Sequence, residues 1–422
     1  MKKLFIIAML FPVLLFSKSF LVSDITLPKT DVQNLDPYPC DEECLQEHLE
    51  NGHIFSFLAH ARKKLEDDVL EARREEYMAI FNVKKVFTES KLRIALLLPY
   101  KKIARYAAST TNASFAYLMS KNRPFELKSY KIEDESYDDI KEALQKIQND
   151  GFSYVIAPMT QEGEEIVSRI DPEINIFFPT INKKDAKNAS SYLYYGGIDY
   201  RAQSDLLLKE AISPLVIFYD QSAIGEQLSE YQDYAFRAKF AHDKNSTALS
   251  SMQTTEKPTI IKFSIPQQTT NLEKQLKENE EINAASFFVN TPIIKSGMII
   301  SQLTLYDTNA TNILSTQTNY NPLLLSMTQY HDRKDMIIAN SITQNKDVLI
   351  ETNSLLGNDI VYDWINYTST VGIDYFAHLI SGEAREYDIQ NVDNQMIYPI
   401  NLLQPSFSRF IPYYSLHKER AD

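Results

Sequence analysis

Near the start of the chain, the residues best suited to chemistry are its two cysteines, Cys40 and Cys44. In an oxidising compartment, two neighbouring cysteines form a disulfide by default. Pro39 and the acidic residues at 41–43 favour the start of a helix, and the cysteine spacing suits its first turn. The alternative is a metal-binding pair, but the two cysteines lack partners at zinc-finger spacing. The sequence therefore predicts a Cys40–Cys44 disulfide.

Three histidines follow in the same region, at His48, His53 and His60. A helical metal site places ligands at i and i+4. His48 and His53 flank a predicted helix break at 51–52, and His53 and His60 are two turns apart. We expect surface or packing roles for them. The acidic run DESYDD (134–139) lacks the EF-hand pattern and predicts a solvated helix start. No metal site is predicted.

The sequence contains no motif of nucleotide or acyl-transfer chemistry. Phosphate-cradling loops need glycine, and the chain has 10 glycines in 422 residues, without GxGxxG or GxxxxGK[ST]. Gly-x-Ser-x-Gly is absent as well, and a disulfide would leave no thiol for nucleophilic attack. A pair of acids for glycoside hydrolysis cannot be singled out, because such residues are distant in a sequence. We expect a non-enzymatic protein without a cofactor.

Charge and N-terminal composition restrict the partner and the compartment. A net charge of −13 argues against nucleic acid, whose binding requires neutralised phosphates. Lys2 and Lys3 precede an apolar stretch at 4–16 and a Ser-Lys-Ser cleavage region. An uncleaved anchor is the alternative, although the apolar run is short for a transmembrane helix. The sequence predicts a cleaved signal peptide at 1–19 and a periplasmic mature chain without a transmembrane span.

Two stretches match the Asp-x-Asn-x-Ser/Thr acceptor of bacterial N-glycosylation, DKNST (243–247) and DTNAT (307–311). Both lie in predicted loops, as a glycan requires. Chance is the alternative, because Asn, Asp and Thr are common in this chain. Asn245 and Asn309 are therefore candidate glycosylation sites in an organism that has the required enzyme.

From residue 92 on, strand and helix patterns alternate, as in proteins whose parallel sheets lie between helices. The predicted segments are an N-terminal extended segment and helical hairpin (20–90), a first lobe (91–195 and about 336–400), a second lobe (196–335) and a tail (401–422). The predicted fold class is α/β, with two doubly wound lobes and a small helical N-terminal segment. Tyrosines cluster at 192–200, 219–234 and 398–414, and exposed tyrosines mark protein interfaces.

Three stretches resemble the type I periplasmic-binding-protein fold: IALLLPY (94–100), DGFSYVIAPMT (150–160) and VIFYDQSAIGEQL (216–228). That family has an apolar first strand ending at proline, an Asp-Gly-led strand ending in a small-Pro turn, and a second-lobe strand ending in Tyr-Asp before Ser-x-x-Gly. Ile224 departs from the pattern, because an aromatic residue is usual there. ASFFVNTP (285–292) is a weaker match. The resemblance covers roughly 92–400, and the fold includes amino-acid receptors of ABC transporters and the C-terminal domain of the lipoprotein LpoA.

The resemblance implies a ligand cleft beyond the carboxyl ends of the strands, where helix N-termini can bind a carboxylate. The candidate residues are Tyr100, Ser109, Thr110, Thr160, Gln161, Asp220 and Ser222. For an amino acid, Thr160 would serve the carboxylate and Asp220 the ammonium. The alternative is that Thr160 and Ser222 are helix caps and Asp220 a turn former. Met159 and Gln161 replace the small Ser/Thr residues expected in a receptor cleft.

These features favour a non-enzymatic scaffold or regulator that uses a receptor-like fold for protein interaction. The altered cleft, the added helical segment and the aromatic tail motivate this hypothesis. The overall character resembles envelope proteins of flagellated bacteria, including FlgQ-like motility factors, so the expected partners are envelope or flagellar-motor proteins. The alternative is a periplasmic solute receptor of an ABC transporter, with a small amino-acid-like or peptide ligand.

Overall fold

A computed structural model of the 422-residue chain describes residues 30, 32, 34, 38, 40–61, 65, 67–83, 91–121, 123–187, 190–242 and 257–414. The chain divides into two compact units, Met1–Ser90 with Ser381–Glu383, and Lys91–Ile380 with Ala384–Asp422. The predicted signal peptide, most of the segment 20–38 and the candidate Asn245 lie outside the described residues.

Helices and strands alternate through most of the described chain. The helices are α1 (Glu42–Glu50), α2 (Ile54–His60), α3 (Asp68–Ile80), α4 (Tyr100–Ile103), α5 (Arg105–Ser120), α6 (Tyr137–Asn149), α7 (Gln161–Ile170), α8 (Tyr200–Leu208), α9 (Ala223–His242), α10 (Glu273–Leu276), α11 (Ile293–Leu305), α12 (Pro322–Met327), α13 (Tyr330–Arg333), α14 (Asp347–Leu355) and α15 (Trp364–Ser381). The strands are β1 (Leu92–Pro99), β2 (Phe125–Ile132), β3 (Tyr154–Ile156), β4 (Asn175–Phe178), β5 (Leu193–Tyr195), β6 (Leu215–Tyr219), β7 (Ile260–Ser264), β8 (Ala285–Asn290), β9 (Ala310–Ser315), β10 (Met336–Asn340), β11 (Gln390–Val392), β12 (Gln395–Ile397), β13 (Asn401–Pro405) and β14 (Phe410–Pro412). Short 3-10 turns lie at Lys183–Asp185, Glu280–Ile282 and Gln317–Asn319.

The N-terminal unit contains α1, α2 and α3, one helix more than the predicted hairpin. Asp41 caps α1, because its carboxylate accepts the N–H of Cys44 at 3.0 Å. Gly52 adopts a left-handed φ of 71°, which favours glycine, in the turn between α1 and α2. The helices bury one small core made of Leu45, Phe57, Leu58, Ala61, Leu70 and Met78.

The first lobe is built on a seven-stranded sheet in the order β11-β12-β5-β4-β3-β1-β2. Six neighbouring strands of this sheet run parallel, in the order β12, β5, β4, β3, β1 and β2. The edge strand β11 pairs antiparallel with β12. Because side chains alternate along a strand, Leu96 of β1 packs toward α5 and α15, and Leu97 packs toward α6 and α7. Helices on both faces therefore explain why β1 is apolar at nearly every position.

The second lobe is built on a seven-stranded sheet in the order β14-β13-β10-β9-β8-β6-β7. Its strand β10 corrects the expectation that the chain returns to the first lobe near residue 336, since β10 pairs in parallel with β9. The chain returns afterwards, where Leu349 of α14 and Phe376 of α15 enter the core of the first lobe. The fully buried sequence of β10 suits either sheet, so pattern alone could not assign it.

The predicted α/β class with two doubly wound lobes is confirmed. The tail closes the second sheet through β13 and β14, which pair antiparallel with β10 and with each other. In each lobe the first strand lies between the second and the third, so connections leave the sheet in opposite directions at that point. No helix among the described residues is long and apolar enough to cross a membrane.

Candidate functional site

A cavity of about 980 Å³ lies between the two lobes. Segments that follow β1, β3, β4 and β5 form its first-lobe wall, and the first three turns of α9 form much of its second-lobe wall. This is the crevice at the carboxyl ends of the strands where α/β folds bind ligands.

The second-lobe wall is an apolar, aromatic stripe on α9. Ile224, Leu228, Tyr231 and Tyr234 recur at helical spacing and line the cavity. Ile224 is 51% exposed and Tyr234 is 72% exposed, whereas Leu228 is buried, so the two ends of the stripe are presented to solvent. The first-lobe wall adds further apolar and aromatic side chains, among them Ile103, Tyr106, Met159, Ile181, Ile198 and Tyr200. The cavity therefore suits a large apolar ligand or side chain.

The lysine and arginine side chains that line the cavity, within the described chain, already have acidic neighbours. Lys184 Nζ lies 2.5 Å from Asp199, Arg201 lies 3.9 Å from Asp185, and Lys102 lies 3.7 Å from Glu162. Burial raises the pKa of the Asp185 carboxyl, and the Arg201 guanidinium opposes that shift only in part. The cations of the lining are therefore paired, while the exposed Glu230 of α9 adds a further acid to the cavity wall.

The helix N-terminus expected to bind a ligand carboxylate already holds a carboxylate of the protein. Glu135 is 4% exposed, and its Oε1 accepts the backbone N–H of Thr160 at 2.8 Å. The Thr160 hydroxyl donates to the other oxygen of Glu135. Gly163 makes room for this arrangement, since a Cβ there would lie 2.6 Å from Glu135 Cδ. Glu135 therefore occupies donors that an amino-acid ligand would need.

Glu135 also corrects the expectation that residues 134–139 form a solvated helix start. Ser136 does cap α6, but the preceding glutamate turns inward and is buried. The acidic run carries no signal that distinguishes this residue from its exposed neighbours. Its burial depends on the N-terminus of α7, which is 25 residues away in the chain.

Asp220 and Ser222 lie at the start of α9 and outside the cavity lining. The Ser222 hydroxyl donates to Asp220 Oδ1 at 2.6 Å and accepts the N–H of Gly225 at 3.1 Å. The pair thus forms a turn and a helix cap, which is the alternative that the sequence had left open.

Three more of the seven candidates, all of which are described, lie away from the cavity. Thr110 is fully buried and accepts the Ser369 hydroxyl at 3.4 Å. The Ser109 carbonyl accepts the amide of Asn358 at 3.3 Å, and the Tyr100 hydroxyl lies 3.5 Å from Glu133. Of the seven, Thr160 and Gln161 alone line the cavity, and Gln161 donates its amide to the carbonyl of Asp185 at 2.5 Å.

Comparison with known proteins identifies the fold. Neither a protein-family model nor a curated protein matches the sequence. A branched-chain amino acid ABC transporter protein of Rhodospirillum rubrum matches with a TM-score of 0.57 at 10% identity, over 76% of this chain and 100% of that chain. The leucine binding protein LivK of Thermotoga maritima gives 0.52 at 10% identity, over 76% of this chain and 98% of that chain. LpoA of Haemophilus influenzae gives 0.50 at 10% identity, over 89% of this chain and 72% of that chain.

The chain has the type I periplasmic-binding-protein fold. At these identities, the likeness establishes the fold and leaves the ligand to the residues of the site. Sequence reasoning missed the α9 stripe as a cleft wall. The tyrosine cluster at 219–234, read with a period of three to four residues, is the signal that could have found it.

The predicted disulfide is present between Cys40 and Cys44, with Cα atoms 5.4 Å apart. The fold also brings the three histidines together, which their spacing did not predict. The ring of His48 lies 5.7 Å from that of His60 and 6.0 Å from that of His53. The turn after α1 and the packing of α2 produce this cluster.

The candidate glycosylation residue Asn309 is exposed in the turn before β9. Its amide donates to Asn283 at 3.2 Å, and the Thr311 hydroxyl donates to the Ala284 carbonyl at 2.8 Å. That Asn309 carries a glycan stays a prediction, which the intact mass of the protein purified from its own cells tests.

Proposed function

We propose that this protein is a non-enzymatic periplasmic scaffold or regulator whose cleft binds an apolar segment of a partner protein in cell-envelope or flagellar-motor assembly. The observation that carries the proposal is the Glu135 carboxylate on Thr160. It fills the anion position that an amino-acid receptor would leave to its ligand.

The balance of charge supports the same proposal. A ligand carboxylate would have to displace Glu135 or come close to it, and like charges at short distance repel. Asp199 and Asp185, the acids nearest to Lys184 and Arg201, would likewise have to be displaced before those cations could bind a ligand. A neutral apolar side chain would not be repelled by Glu135 and would not have to displace Asp199 or Asp185.

The aromatic stripe supports a protein segment as the occupant. Exposed tyrosines beside apolar residues are typical of the energetic centres of protein interfaces, because they bury much area and lose little conformational freedom. Tyr231 is partly ordered in advance, since its hydroxyl donates to Asp205 at 2.8 Å. Burial and this hydrogen bond raise the pKa of Tyr231 to about 12, so the ring stays neutral.

The comparisons are consistent with a role in the envelope. LpoA, which has the same fold, is described as a regulator of PBP1A, and the other matches are described as amino-acid binding or transport proteins. The proposed periplasmic location is based on the predicted signal peptide. The proposed flagellar-motor partner is based on the overall resemblance of the sequence to envelope proteins of flagellated bacteria.

A solute receptor is the second candidate, favoured by the size and place of the cavity. About 980 Å³ of mostly apolar space lies where the receptors of this fold bind ligands. A receptor of this kind would take a hydrophobic amino acid or a short peptide, and its lobes would close on binding.

Affinity purification of the tagged protein from cross-linked envelopes, read by mass spectrometry, tests the proposal. We expect envelope or flagellar-motor proteins to be recovered, and a deletion strain to lose motility or envelope integrity while solute uptake is unchanged. Recovery of an ABC permease, together with lobe closure in X-ray scattering upon addition of one amino acid, would overturn the proposal in favour of the receptor.

A further inference from the structure

We propose that Cys40, Cys44, His48 and His60 form a zinc site when the Cys40–Cys44 disulfide is reduced. The proposal concerns the N-terminal unit and does not rest on the role proposed for the cleft. The cysteine spacing lacks metal-binding partners, but the fold supplies two imidazoles, His48 and His60, beside Cys40.

The ligand atoms are already close together. One side-chain ligand atom each of Cys40, His48 and His60 lies within 4.8 Å of the other two, and all three residues are partly buried. Cys44 is bonded to Cys40 but lies outside this group of three, so its side chain must turn toward the imidazoles once the S–S bond is broken. The Asn34 amide nitrogen lies 3.3 Å from Nδ1 of His60 and contacts that ring.

The secondary structure holds two of the ligands in a suitable register. Cys44 and His48 are at i and i+4 on α1, so their side chains lie on one face of the helix. Cys40 comes from the segment that leads into α1, and His60 comes from the last turn of α2. Ligands from three elements around one point can close a tetrahedron.

Two thiolates and two imidazoles are a ligand set that Zn²⁺ prefers. Structural zinc bonds are about 2.0–2.3 Å long, so ligand atoms on a tetrahedron lie about 3.3–3.8 Å apart. Reduction releases the two sulfurs from each other, so that Cys40, His48 and His60 need to draw closer by about 1 Å and Cys44 has to turn toward them to reach that geometry. The disulfide and the zinc site are mutually exclusive, because they use the same sulfurs.

The chemistry balances with a dithiol as the reductant. The dithiol gives two electrons and two protons to the disulfide, so the S–S bond breaks, two thiols form, and the dithiol becomes a disulfide. Zn²⁺ then binds the two sulfurs and two neutral imidazole nitrogens, and the two thiol protons are released. No other oxidant or co-reactant is needed.

The test uses the full chain, reduced under nitrogen and freed of reductant, with Zn²⁺ and Co²⁺ as the probes. We expect one metal ion per reduced chain and, with Co²⁺, the visible bands of tetrahedral coordination and near-ultraviolet thiolate bands. Zinc should also protect both thiols from alkylation until a chelator removes it. The oxidised chain should bind Zn²⁺ more than about 100-fold more weakly, since it lacks two ligands.

Three variants assign the ligands. His48→Ala and His60→Ala should each weaken zinc binding by more than about 10-fold, and Cys40→Ser with Cys44→Ser should abolish the thiolate bands. His331→Ala, an exposed histidine in the other unit, is the matched control and should bind like the parent chain. Circular dichroism of each oxidised histidine variant verifies that the fold is retained.

Three results would overturn the proposal. Equal zinc affinity of the oxidised and reduced chains would exclude the thiolates as ligands. Retained binding in both histidine variants would exclude the imidazoles. A reduced parent chain that binds no zinc, with the circular dichroism of the oxidised chain, would exclude the site altogether.

Discussion

Thr160 donates both its backbone N–H and its hydroxyl to the carboxylate of Glu135, with the N–H 2.8 Å from Oε1. This contact joins the start of α6 to the N-terminus of α7, at the edge of the cavity. A helix N-terminus can bind an external anion, but here the carboxylate of Glu135 occupies that position. The cleft keeps its place in the fold but presents an apolar surface.

Glu135→Ala should lower the free energy of unfolding by about 2 kcal/mol, because two hydrogen bonds to a buried charged group are lost. Glu135→Gln keeps an acceptor for the N–H and should cost less. Urea unfolding followed by circular dichroism measures both values. The exposed Glu133→Ala is the matched control and should leave stability nearly unchanged. Equal effects of Glu135→Ala and Glu133→Ala would contradict the assigned role of the carboxylate.

Tyr234→Ala should reduce recovery of the partner from cross-linked envelopes by about 10-fold or more, as expected for an interface anchor. Stability should change by less than about 0.5 kcal/mol, because the side chain is 72% exposed. Tyr137→Ala, which truncates a tyrosine that is 44% exposed on α6 and lies outside the cavity lining, serves as the control. Undiminished recovery with Tyr234→Ala would remove this tyrosine from the interface.

Asp374→Ala should destabilise the first lobe by about 3–5 kcal/mol, since it leaves a buried ion pair without its acid. The Asp374 carboxylate is 3.1 Å from Arg385 Nε, and it accepts the Tyr117 hydroxyl at 2.9 Å and the Glu386 N–H at 2.7 Å. Thermal unfolding monitors the loss. Asp388 is exposed, and Asp388→Ala should unfold at the same temperature as the parent chain. If Asp374→Ala also did so, the contacts of Asp374 would contribute little to stability.

Glu164 should make the folding stability of the protein depend on pH. Its side chain projects from α7 into the protein interior, where Oε1 accepts the Tyr195 hydroxyl at 2.8 Å. Burial raises the pKa of Glu164 above its ordinary value, and the Tyr195 hydrogen bond offsets only part of the shift. The folded chain thus binds this proton more tightly than the unfolded chain, so the contribution of Glu164 to stability falls as pH rises through the raised pKa.

Glu164→Gln removes that titration. The stability of the variant relative to the parent chain should therefore increase as pH rises from about 4 to about 7, whatever its offset at low pH. Urea unfolding at several pH values measures the difference. Glu173 is exposed, and Glu173→Gln is the matched control. Its stability relative to the parent chain should not change with pH. A flat difference for Glu164→Gln, or one that decreases with pH, would contradict the raised pKa.

Much of the fold could be predicted from the sequence, because its signals are local. The buried strand β1, the Ser136 cap of α6 and the glycine turn at 51–52 each depend on a few neighbouring residues. The lobe to which β10 belongs could not be predicted, since a uniformly apolar strand fits either sheet.

The site was predicted less well, because its features arise from tertiary contacts. Thr160 lines the cavity, but no local pattern indicated that Glu135 would occupy its donors. His48 and His60 are stacked only because two helices pack together. Asp220 matched a family pattern, yet its carboxylate is used by the turn that it begins.

Site-specific photo-cross-linking tests whether the cleft binds a segment of a partner protein. Tyr234→benzoylphenylalanine is introduced in the producing cells, with Tyr137→benzoylphenylalanine as the position control, and the cells are illuminated with and without an excess of free amino acids. We predict a covalent adduct between position 234 and an envelope protein that free amino acids do not diminish. If no adduct formed at position 234, or if leucine or another amino acid abolished it, the cleft would not be a binding site for a protein segment.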